Sequence, residues 1–161
     1  MMKTKRKRNV MNKKTLVLTL VVVFMDQISK MLIESFIALN DMIAIIPNFF
    51  NLHHIRNYGA AWSLFESKTI FIIIMSVIGL IVLIRFMFTF KDNTRNSIAF
   101  GLVFGGFIGN LVDRGIFGYV RDFLEFHIFG YDYPIFNVAD ICIVLGVGLL
   151  IYAILKGEDQ I

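Results

Sequence analysis

The sequence predicts an all-α polytopic membrane protein built on four transmembrane helices. Three observations carry this. The chain of 161 residues is 57% hydrophobic and only 17% charged, with seventeen Phe, whereas a soluble domain is about half apolar and about a quarter charged. Four long apolar stretches recur along a chain whose length suits one domain. The basic residues are unevenly spread, with seven of the sixteen Lys and Arg in the first fourteen residues.

The tail "MMKTKRKRNVMNKK", 1–14, comes first. Such a run can bind nucleic acid, but beside an apolar segment it reads as a cytoplasmic anchor, and no nucleic-acid partner is expected. The segment "TLVLTLVVVFMDQISKMLIESFIAL" follows. A basic tail before a short apolar core is the pattern of a secretory signal peptide. No A-x-A-like cleavage site follows and further spans come later, so an uncleaved signal anchor is expected. The uncharged part, Thr15 to Met25, is too short to span, since about 20 residues are needed. The helix must therefore continue past Asp26 and Lys30, whose spacing of four lets them share one helix face.

The second span is expected at 69–90, the third at 97–112 and the fourth at 138–155, with a short tail, 156–161, after it. The third carries Gly101, Gly105 and Gly109 at four-residue spacing, a strip that lets a neighbouring helix approach closely. Cys142 is the single cysteine, so no intramolecular disulfide forms, and in an apolar run it reads as a small packing residue. Four spans put both termini on one side, and the basic tail makes that side cytoplasmic. Eleven Lys and Arg then fall on cytoplasmic segments and five (Lys30, Arg56, Lys68, Arg114, Arg121) towards the outside. One membrane domain, 15–155, is expected, with outer segments at 36–68 and 114–137. The first of these is too polar to span and suits short strands or an interfacial helix, with Trp62 among the aromatics fit for the headgroup region.

The polar residues converge at the outer side. Span 3 leaves the membrane at "GNLVDRG" and span 4 enters at "FNVAD", so Asn110, Asp113, Arg114, Asn137 and Asp140 lie at similar depth. The connecting loop adds Asp122. A carboxylate so close to a bilayer has a solvation cost, which marks it as a functional candidate. Two carboxyl groups sharing one proton can activate a water and protonate a leaving amine, as in an aspartic-protease dyad. On the residues alone, a structural ion pair of Asp113 and Arg114, with the Asn side chains bonding helix backbones, stands equally. Metal chemistry is disfavoured, because His53, His54 and His127 have no ligand spacing and adjacent His in an extended stretch point to opposite faces. No P-loop, nucleophile elbow or dinucleotide fingerprint occurs. Ser29 and Ser63 have no base near in sequence. Lys30 suits ion pairing or snorkelling better than base catalysis. A proton-coupled transporter would use intramembrane carboxylates too, but its internal repeats are not found and the polar residues lie at one interface, not the midplane. A non-catalytic scaffold is the remaining class.

The blocks "DQISK", "NYGAAWS", "GGFIGNLVDR", "VRDF" and "FNVAD", in this order, resemble lipoprotein signal peptidase (signal peptidase II) over about 15–155. The resemblance implies an intramembrane aspartyl endopeptidase that removes the signal peptide of diacylglyceryl-modified prolipoproteins, cutting just before the lipidated cysteine. It implies Asp122 and Asp140 as the catalytic pair. Asn57, Asn110, Asp113, Arg114 and Asn137 then support site and substrate, and Asp26, with Lys30, is structural. No metal and no cofactor are implied. The partners implied are prolipoproteins with a lipobox and membrane lipids, with a monomer in the bacterial cell membrane, both termini cytoplasmic and the site facing out. A small β-sheet cradle is implied on the outer surface, from 40–66. Ser29 stands where the family has Thr, and Trp62 where Phe is frequent, neither of which disturbs the chemistry.

Overall fold

The computed structural model describes residues 12–59 and 69–157. Trp62, Ser63, Lys68 and most of the basic tail lie outside the described residues.

Four helices form: α1 (Lys13–Phe36), α2 (Thr69–Met87), α3 (Thr94–Phe117) and α4 (Val138–Leu155). Each is long and apolar enough to cross a membrane. Their outward faces expose Leu20, Phe24, Ile70, Val82, Val144 and Leu155. In water such a surface would be a sticking patch, whereas in hydrocarbon it meets its own kind. Helix α1 runs through Asp26 and Lys30 as their spacing required. Helix α3 is longer than its apolar run at both ends. Asn93 caps it, with its side chain accepting from the Asn96 N–H, and Gly118 ends it in the left-handed region at φ 82°. Helix α2 is shorter than the apolar run to 90, because a turn after Met87 folds Phe90 back among Ala99, Phe100, Val103, Phe104, Leu150 and Ala153.

Helix α3 is the middle of the bundle and packs on both α1 and α4. Glycine makes that possible. A methyl at Gly101 would meet Leu18, at Gly105 Val22 and at Gly109 Asp26, so the strip takes the close approach of a neighbouring helix, as expected, and that helix is α1. On the next face, Gly106 abuts the Ala139 carbonyl of α4, and Gly146 of α4 abuts Ala99 and Val103. Backbones this close allow polar side chains near one end to reach across two helices.

That end is covered by an antiparallel sheet of order β1-β2-β3-β4: β1 (Met42–Ile46), β2 (Phe50–Asn57), β3 (Val120–Ile128) and β4 (Tyr131–Asp132). β1 and β2 come from the first outer segment, within the expected cradle. β3 and β4 come from the second, expected as a loop, so Asp122 lies on a strand. Val120, Arg121, Asp122 and Phe123 are all buried, which erases the alternation that signals a half-buried strand. In the β2/β3 register Ile55 faces Asp122 and Asn57 faces Val120, so Asn57 and Asp122 are diagonal neighbours on one face.

Candidate active site

The site forms where α1, α3, β3 and the start of α4 meet. Asn137 is the N-cap of α4 and Asp140 its third residue. The Asn137 side chain accepts from the Asp140 N–H (3.1 Å), and Asp140 Oδ2 accepts from the Asn137 N–H (3.1 Å). This reciprocal capping box explains locally why a carboxylate stands at the threshold of an apolar helix. The positive end of the helix dipole favours its charge. The other oxygen, Asp140 Oδ1, accepts from Asn110 Nδ2 at 2.8 Å.

Asp122 is 2% exposed. Its Oδ1 accepts from Asn137 Nδ2 at 2.6 Å and its Oδ2 from Asn57 Nδ2 at 2.8 Å. Asn137 therefore touches both carboxyl groups. Burial first, and then the nearby Asp140 charge, push the Asp122 carboxyl up to about 7, against the bonds from Asn57 and Asn137.

Two further Asp residues are fully buried nearby, and their partners differ in kind. Asp26 Oδ2 is paired with Lys30 Nζ at 2.8 Å, and its Oδ1 accepts the Ala139 N–H at 3.0 Å. Asp113 is gripped by Arg121: Nη2 donates to Oδ1 at 2.8 Å, while Nε (3.3 Å) and the backbone N–H (3.0 Å) donate to Oδ2. Lys30 stands 3.3 Å from the same Oδ2, and Gln27 Nε2 donates to Oδ1 at 3.0 Å. So Asp26 and Asp113 each neutralise a cation. Among the described residues, the side chains bonded to Asp122 and Asp140 are neutral amides, which leave a carboxyl group free to exchange a proton.

The alternative reading, an Asp113–Arg114 ion pair, does not form, since consecutive helix residues point apart. Arg114 Nη2 donates instead to the Gly59 carbonyl at 3.0 Å, and the Gly59 N–H donates to Asn57 Oδ1 at 3.0 Å. Arg114 is only partly buried and within electrostatic range of Asp122 and Asp140. The geometry thus gathers Asn57, Asn110, Asp113, Arg114, Asp122, Asn137 and Asp140 together, with Asp26 and Lys30 directly behind them.

Sequence reasoning missed Arg121, which it counted only as an outer cation. Arg121 is 2% exposed, also binds Glu34 Oε2 (3.2 Å) and Gln27 Oε1 (2.9 Å), and lies over the Phe117 ring. These bonds raise its pKa against the cost of its burial. They tie β3 to α1 and α3 one residue before Asp122. The signal was the Arg itself: a cation adjoining a candidate carboxylate in an apolar strand needs a buried counter-ion.

His53 and His127 flank one carboxylate, with His127 Nε2 3.7 Å from Glu125 Oε2, while His54 lies apart from both. His53 Nδ1 lies 3.2 Å from Glu125, His127 Nδ1 lies 2.6 Å from Asp132, and His54 Nδ1 bonds the Ile37 carbonyl at 2.9 Å. Among the described residues no group of three or more His, Cys, Asp or Glu could hold a metal ion.

The chain as a whole is similar to known proteins. Residues 18–156 match the family model described as signal peptidase (SPase) II. The lipoprotein signal peptidase of Staphylococcus haemolyticus (strain JCSC1435) is 40% identical over 147 residues, covering 91% of this chain and 93% of that protein. That of Staphylococcus aureus (strain MRSA252) is 40% identical over 149 residues, covering 91% and 90%. A bacterial membrane enzyme solved by the in meso method at 2.3 Å resolution superposes with a TM-score of 0.79 at 40% identity, over 88% of this chain and 87% of that one. Another at 1.9 Å resolution gives 0.77 at 40% identity, over 88% and 92%.

Proposed function

The chain belongs to the signal peptidase II family, and from that premise we propose that Asp122 and Asp140 are its catalytic pair. It is a multi-pass bacterial membrane protease that removes signal peptides from lipoproteins, and the family's mechanism is aspartyl. One observation supports this pair over the others: among the described residues, of four buried or half-buried Asp at this end, Asp122 and Asp140 have side-chain bonds from neutral amides alone, whereas Asp26 and Asp113, though each also accepts from Gln27, are bound to Lys30 and Arg121. A carboxylate neutralising a cation is a poor proton carrier.

In the proposed reaction the pair holds one proton. The ionised member takes a proton from water as the water attacks the scissile carbonyl, and the protonated member bonds the carbonyl oxygen. A proton then passes to the leaving nitrogen. The proton belongs to the pair, not to either residue. Asn137 holds the two carboxyl groups in register, Asn57 and Asn110 fix the outer side of each, and Asp113 anchors β3 through Arg121. Arg114 offers a partly exposed cation to the substrate backbone beside Gly59.

The finer substrate reading is a prolipoprotein with a lipobox, cut just before its diacylglyceryl cysteine. Its lipid chains would stay in the outer leaflet, bringing the scissile bond to the depth of Asp140. The Lys/Arg asymmetry supports cytoplasmic termini and an outward-facing site. A single domain over 15–155, acting as a monomer, is the simplest arrangement.

The test is cleavage of a diacylglyceryl-modified lipobox peptide by purified variants. Asp122→Asn and Asp140→Asn should each abolish turnover while the protein still folds and binds the peptide, and the double variant should lose little more. Asp113→Asn should lose only part of the activity. Near-normal turnover in either of the first two would sink the assignment. Complete loss in Asp113→Asn with Asp122→Asn active would move the pair to Asp113 and Asp140.

A further inference from the structure

The reaction above leaves one buried cation without a role. Lys30 is fully buried in α1. Its ammonium has three hydrogens and three acceptors: Asp26 Oδ2 at 2.8 Å, Asn110 Oδ1 at 3.0 Å and Asp113 Oδ2 at 3.3 Å. Charge balance accounts for only part of this. Asp26 neutralises Lys30, and Asp113 is already neutralised by Arg121. The bond to Asn110 is not needed for either pair.

That bond has a direction. An ammonium can only donate, so it faces the amide oxygen of Asn110, and the amide nitrogen is turned to Asp140 Oδ1 at 2.8 Å. Asn110 Oδ1 also accepts from Asn137 Nδ2 at 3.0 Å, and the same Nδ2 donates to Asp122 Oδ1. The Lys30 charge is therefore one amide from Asp140 and two from Asp122. In a dry interior such a chain polarises along its length.

We propose that Lys30 is a positioning residue which, through Asn110, fixes the amide that donates to Asp140 and biases the Asp122–Asp140 pair towards its singly ionised form. This rests on the assignment of that pair as catalytic. The charged groups around Lys30 agree in sense. Asp26 on its own helix and Asp113 on α3 are compensated by Lys30 and Arg121, Arg114 on α3 faces Gly59, and Asp140 on α4 and Asp122 on β3 are the groups left to titrate. Lys30 is also among the influences that favour the charged form of Asp122, opposing burial and the Asp140 charge. Lys30 cannot be the base, because its hydrogens are engaged and it carries the charge that balances Asp26.

The test is the pH–rate profile of lipopeptide cleavage by the full chain in detergent, for wild type, Lys30→Met and Asp26→Asn/Lys30→Met. Without the ammonium, ionising the pair is harder, so the whole profile should move to higher pH. The acidic limb should shift by about one unit in Lys30→Met, a roughly tenfold loss of rate on that limb. The double variant, which leaves no unpaired buried charge, should shift less but in the same direction, because the ammonium is the group bonded to Asn110. Uniformly lower rates with unmoved limbs would overturn the proposal, as a merely structural lysine behaves in that way. Failure of both variants to fold would also overturn it, by assigning Lys30 to architecture alone. Asp122→Asn is assayed alongside: if it remains active, the pair assignment itself has failed, whatever the Lys30 profiles do.

Discussion

Replacing Gly106 with alanine should damage both stability and turnover, because one methyl would fall between α3 and the residue before Asp140. An added Cβ at Gly106 would overlap the Ala139 carbonyl oxygen and lie 2.6 Å from Ile143 Cγ1. Ile143 can rotate, but the Ala139 carbonyl is helix backbone and cannot. Restoring ordinary contact requires α4 to retreat by on the order of 1 Å at its first turn, where even a displacement of that size can cost about 100-fold in rate. Overpacking of this kind costs about 1–3 kcal/mol. For a chain of this length that lowers the melting temperature by roughly 2–4 °C per kcal/mol. Gly148 is the control, since nothing lies within 4 Å of a Cβ there. Thermal unfolding in detergent and the kcat for lipopeptide cleavage, measured on Gly106→Ala and Gly148→Ala, give the comparison. Gly106→Ala with the melting temperature and kcat of Gly148→Ala would refute the claim that the α3–α4 approach positions Asp140.

Two other outcomes are expected. Asp122 is held up to about 7 by burial and then by Asp140. A raised pKa keeps the proton on the pair below that pH and releases it above, so kcat should fall about tenfold per unit on the alkaline side; a rate flat to pH 9 would contradict a shared proton. For topology, Asp132 is exposed at the tip of the sheet, its side chain 81% accessible. Asp132→Cys in a Cys142→Ala background should react with an impermeant thiol reagent in intact cells, and labelling only after lysis would reverse the orientation.

Much of the fold was legible because hydrophobicity is a local property that adds along the chain. The four apolar runs, the passage of α1 through Asp26 and Lys30, and the glycine strip of α3 needed only spacing. The cap of α4 is equally local: Asn137 and Asp140 stand three apart and bond each other. The family blocks named the proposed pair, Asp122 and Asp140, and the amides around it, but assigned no role to Arg121. Where polarity blurred the local signal, the reading fell short: at the two ends of α3, and in β3, where Arg121 and Asp122 sit side by side in a buried strand.

What the sequence by itself determined, then, is the set of spans and which polar residues approach one another. What only the tertiary structure decided is which partner each charge takes. Asn57 reaches Asp122 across 65 residues, Lys30 reaches Asn110 across 80 and Arg121 reaches Gln27 across 94. No local rule links such positions, since a buried charge is satisfied by whatever group packing brings within about 3 Å of it. Four Asp look alike as letters. They separate into two that balance cations and two that can share a proton only when α1, α3, β3 and α4 have closed on one another.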